Sequence, residues 1–75
     1  MSNAARSVDD ILRATPEHCQ LVHLSLKSRP EGTTVSNLSY FTGLSRILVI
    51  DALEQMEQRG AVRHDMAVWF ASPKD

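Results

Sequence analysis

A chain of 75 residues with 43% hydrophobic and 23% charged side chains has room for one small globular domain and is too apolar to be disordered. Its net charge of −1 leaves any contact with nucleic acid to a local patch. No apolar run reaches the roughly 18 residues of a membrane span, "MSNAARSVDD" lacks the apolar centre of a signal peptide, and the single Cys19 fits a reducing compartment, so a cytoplasmic protein without membrane association is expected.

In chain order, residues 1–6 read as a disordered tail or a cloning remnant, because "SNA" carries no fold information; residues 7–75 read as a single domain. "SVDD" approximates a capping box, with Asp10 three residues after Ser7. It predicts a short helix over Val8–Arg13, ending before Pro16. "TPEH" restarts a helix, with Thr15 as N-cap, Pro16 in the first turn and Glu17 at the positive end. That helix runs to about Ser28, and "RPEG" closes it as a turn. Cys19, Val22 and Leu26 form one apolar stripe. Leu21 and Leu24 lie on another side, which suggests a second cover, either the leading helix or a partner subunit.

Thr34 caps a short helix over Val35–Thr42, stopped by Gly43, with Val35, Leu38 and Phe41 as its expected buried side. After "GLS", Ser45 caps a longer helix over Arg46–Arg59, ended by Gly60. "AVRHDMAVWFA" reads as a hairpin turning near His64 and Asp65, with Val62 on one arm and Met66, Val68 and Phe70 alternating along the other. That phase points Trp69 away from the core as a subunit anchor; the other reading packs it under the hairpin or against the first helices.

At about 100° per residue, Val49, Ala52, Leu53 and Met56 converge as the inner face of the long helix. The opposite side carries Ile47, Asp51, Glu54 and Gln58, flanked by Ile50 and Glu57. Along this helix Arg46 and Arg59 stand against Asp51, Glu54 and Glu57, a balance of −1, which a phosphate-lined groove repels.

Cys19 and His23 are four residues apart on a helix, a spacing that can hold a metal. Two ligands do not close a site, so they read as a buried thiol beside a partly buried imidazole, with no cofactor and no metal. The serines and histidines fall on caps and turns, and there is no glycine-rich phosphate loop, so neither catalysis nor a small-molecule substrate is expected.

The stretch "PEGTTVSNLSYFTGLSRILVIDALEQMEQRGAV", a capped short helix, a tight "GLS" turn, a longer helix and "RGAV" entering a hairpin, resembles the winged helix-turn-helix domain over Glu17 to Ala71. Small bacterial transcription regulators are the largest group of short members, and "MAVWF" is similar to the ending of short winged-helix regulators of fimbrial operons. The resemblance implies a mainly α fold with a small β-hairpin wing, in which three core helices follow the short N-terminal one. It implies that Arg46–Arg59 is the recognition helix, with Arg46, Ile47, Ile50 and Asp51 toward base edges. Thr34, Ser36, Asn37 and Ser45 would approach phosphates, and Arg63 with His64 would form the wing tip. Two functions follow. One is a double-stranded-DNA-binding transcription regulator acting as a homodimer or with a partner protein. The other is a protein-interaction module that does not read DNA. Leu21 with Leu24, Trp69, or Ile47 with Ile50 are the candidate protein contacts through which the first would dimerise, and the second would use Ile47, Ile50 and the acidic residues near them.

Overall fold

Thr15, Thr34 and Ser45 each end an extended stretch with a hydroxyl poised to satisfy a helix's first free N–H groups. In the computed structural model, which describes residues 13–73, all three do so. Thr15 Oγ1 accepts from His18 N, Thr34 Oγ1 from Asn37 N and Ser45 Oγ from Leu48 N, at 3.2, 3.3 and 3.2 Å. His18 Nδ1 accepts from Thr15 N in return, completing a capping box with an imidazole in the usual place of Glu. The helices they start are α1 (Pro16–Lys27), α2 (Val35–Thr42) and α3 (Arg46–Gln58). The helix expected over residues 8–13 lies outside the described residues except for Arg13, which is in a bend.

Two antiparallel strands follow, β1 (Val62–Asp65) and β2 (Val68–Ala71), with Val62 opposite Ala71 and Asp65 opposite Val68. The architecture is therefore mainly α, three helices and a two-stranded hairpin. Thr33 adds a single rung to β2, exchanging both backbone hydrogen bonds with Trp69 at 3.0 and 2.7 Å. Buried Thr33 thus fastens the segment between α1 and α2 to the hairpin.

The core is where the stripes meet. Cys19, Val22 and Leu26 of α1, Leu38 of α2 and Val49, Ala52, Leu53 and Met56 of α3 are all buried, together with Val62. α1 packs on both other helices and on β2. The predicted inner faces of α1 and α3 are observed. α2 departs from expectation: Leu38 is fully buried and Val35 packs partly on the core, but Phe41 is 43% exposed. The eight-residue helix offers only one central position to the core, and Phe41 lies under the guanidinium of Arg29, 3.8 Å from the ring centre.

The hairpin also differs. It turns at Met66 and Ala67, two residues beyond the expected point, so His64 and Asp65 are strand residues and Met66 is 90% exposed at the tip. The inward phase is also the reverse of that expected from Met66, Val68 and Phe70, because buried Val62 pairs with Ala71 and residues opposite each other share a face. Trp69 and Ala71 pack on the core, whereas Val68 and Phe70 lie on the other face against Gly32. Trp69 is therefore half-buried inside the chain, in agreement with the packing reading and not with an outward anchor.

Candidate nucleic-acid interface

The connection between α2 and α3 is held by local bonds. Gly43 caps α2 at φ +76°, a conformation costly for any residue with a Cβ. Ser39 Oγ donates to Leu44 O at 2.6 Å, and Thr42 Oγ1 accepts from Leu44 N at 3.2 Å. These bonds set the angle between the two helices and bring their N-terminal turns side by side. Arg46, the first residue of α3, donates from its guanidinium to Ser36 Oγ at 2.8 Å. Thr34, Ser36, Asn37, Ser45 and Arg46 thus form one polar corner. Ser36, Asn37, Ser45 and Arg46 are exposed and Thr34 half-buried, at two helix N-termini whose partial positive charge favours anions.

The outward side of α3 beyond Arg46 carries Ile47 and Ile50, 52% and 41% exposed. Its acidic residues do not all face solvent as expected. Asp51 is half-buried: Oδ2 accepts the backbone N–H of Ala14 at 2.5 Å and Gln55 Nε2 at 2.7 Å. Gln55 Nε2 also donates to Ala14 O at 3.0 Å, so the pair clamps the chain just ahead of α1. Asp51 is removed from the groove-facing set because a backbone N–H from another segment claims its carboxylate.

Glu57 is engaged too. His64 Nδ1 lies 2.7 Å from Glu57 Oε2, and because a carboxylate only accepts, that nitrogen carries the proton. The His64 ring also stacks on Trp69, with centroids 4.4 Å apart. The residue expected at the hairpin tip instead ties β1 to the end of α3. Arg63, its neighbour, is exposed on the opposite face, its guanidinium 4.7 Å from the Phe70 ring centre. It lies along the strand and not at the tip. Glu54 is exposed and, among the described residues, has no hydrogen-bond or ion-pair partner.

Tyr40 was not among the expected residues. It is 83% exposed, one helical turn past Ser36, with its ring edge-on to Phe41 at 5.7 Å. Its four-residue spacing from Ser36 on the side away from Leu38 is the signal that could have found it.

Away from this corner, Leu21 and Leu24 are 45% and 55% exposed on α1. Cys19, His23, Met56 and Arg59 line a shallow hollow of about 300 Å³ between α1 and the end of α3. Burial pushes the Cys19 thiol up from its ordinary value, with Arg59 opposing and Asp51 adding to the shift. Burial, and then Lys27, push His23 down. The thiol therefore stays protonated and the imidazole neutral near pH 7. Among the described residues, no helix is long and apolar enough to cross a membrane. The chain matches no protein-family model, no curated protein and no solved structure.

Proposed function

We propose that this chain is a winged-helix DNA-binding protein, a cytoplasmic transcription regulator in which α3 enters the major groove and the hairpin is the wing. The observation that carries this reading is the corner where Arg46 meets Ser36. It gathers a guanidinium, the hydroxyls of Thr34, Ser36 and Ser45, the Asn37 amide and two helix N-termini, all groups that bind phosphate oxygens. Engagement of Asp51 and Glu57 inside the chain supports it further. Of the three acids on α3, Glu54 alone faces the groove, so the repulsion suggested by the sequence is smaller at this surface. Ile47 has the shape for a thymine methyl, and Arg63 for a flanking phosphate. His64 is not part of this contact, since Glu57 and Trp69 occupy it.

One such module with few cations binds weakly and with strong salt dependence. A homodimer or partner protein joined through Leu21 and Leu24 would double the phosphate contacts. The second reading, a protein-interaction module, is favoured by the exposure of Ile47 and Ile50.

Titration of duplex DNA at low salt, followed by amide NMR, separates the two. DNA binding moves Ser36, Arg46 and Arg63 together, the shifts vanish with added salt, and Arg46→Ala weakens binding by roughly tenfold. No movement at these amides, with Ile47 and Ile50 responding only to protein concentration, would overturn the DNA reading in favour of the second.

A further inference from the structure

Arg46, Ile50 and Glu54 follow one another at four-residue intervals on the exposed side of α3. They make one ridge with a cation at one end, an apolar centre and an anion at the other, spaced about 6 Å apart along the axis. Ile47, beside Ile50, widens the apolar centre and is the more exposed of the two. We infer that this ridge is a self-complementary docking surface on which a second copy of the chain seats its own α3 antiparallel, covering Arg46.

The argument is charge order. Rotation by a two-fold axis beside Ile50 brings position 46 level with position 54 of the other copy, because both lie four residues from the centre. Ile50 then meets Ile50 of the second copy, flanked by two pairs of Arg46 with Glu54 of the opposite chain. An isologous interface requires a patch to be its own complement in this way. Ridges built on four-residue rows also interdigitate in the commonest class of helix packing. The residues are available: Glu54 is exposed and unpaired among the described residues, and Arg46 gives only one of its five N–H donors to Ser36. The remaining α3 acids do not oppose the contact, since Asp51 is bound to Ala14 and Glu57 to His64.

One helix face per copy is small for an interface, so association is weak, on the order of 100 μM. The self-association stands on the ridge alone. Its consequence, that pairing and DNA compete for Arg46 so that self-association is the non-binding state, rests on the proposed function.

The test is sedimentation velocity on the whole chain from about 10 μM to 1 mM, a range bracketing that affinity. Wild type is expected to pass from monomer to dimer. Arg46→Glu and Glu54→Arg should each weaken the dimer by about tenfold or more, and the double reversal should restore it, since opposite charges again face each other. A merely structural defect would not be rescued by the second change. A monomer throughout, or a double variant no better than the singles, overturns the inference. The DNA titration keeps the two ideas apart. A chain that dimerises yet shows no DNA-induced shifts at concentrations where it is monomeric sinks the DNA reading and leaves the pairing supported. A monomer that binds DNA does the reverse.

Discussion

Asp51 of α3 accepts the backbone N–H of Ala14, 37 positions earlier in the chain, at 2.5 Å. The bond ties the entry of α1 to the middle of α3 beside buried Ala14, and the same oxygen accepts from Gln55. Removing it leaves a part-buried donor without a partner, at a cost of about 1–3 kcal/mol. Asp51→Ala should therefore lower the melting temperature by roughly 4 °C or more for a domain of this size. Glu54→Ala, on the open side of the same helix, should change stability by less than about 0.5 kcal/mol. Equal effects in thermal denaturation followed by circular dichroism would contradict the assignment.

Gly32 sits at φ +88°, and a Cβ there would stand 2.5 Å from the Phe70 ring and 2.6 Å from Val68. Gly32→Ala thus combines left-handed backbone strain with an overpacked contact, together about 2–4 kcal/mol. The expected result is a loss of roughly 10 °C in the melting temperature. A neutral substitution would show that the turn does not press on the hairpin as described.

Met66 holds φ +58° in the two-residue hairpin turn and is almost wholly exposed. Nothing in its surroundings offsets a conformation that suits glycine or asparagine. Met66→Gly relieves that strain and, after the entropy lost with glycine, should stabilise the chain by about 0.5–1 kcal/mol. A lower denaturation midpoint in urea would refute this.

His23 is held below its ordinary value of 6.5 by burial and secondarily by Lys27. The unfolded chain therefore binds the proton first as pH falls, and stability drops as pH decreases through 6.5 toward the lower folded value. Above 6.5 this contribution is constant. His23→Gln should flatten the decline in melting temperature between about pH 7 and pH 5. An unchanged decline would place its origin in other groups.

Much of the fold was legible because its signals are local. A hydroxyl before a helix, glycine after it and apolar spacing near 3.6 residues act within one or two turns. They placed α1, α2, α3 and the buried faces of α1 and α3. The hairpin turn is not legible locally, because Asp65 is a turn-forming residue whereas Met66 and Ala67 carry no turn signal. Which side of β2 faces inward follows from its pairing with buried Val62, which alternation along one strand does not supply. The deciding contacts, Trp69 on Thr33 and Phe70 on Gly32, join segments more than thirty residues apart.

The candidate surface divides in the same way. By itself the sequence determined which side of α3 is outward, because burying four apolar residues commits the helix's rotation. Only the tertiary structure decided which outward groups remain free. Asp51 is claimed by Ala14, Glu57 by His64 and Arg46 in part by Ser36. Helical periodicity assigns a direction to each side chain, but a carboxylate's partner comes from whichever segment packs beside it, and that is settled when the helices and the hairpin meet.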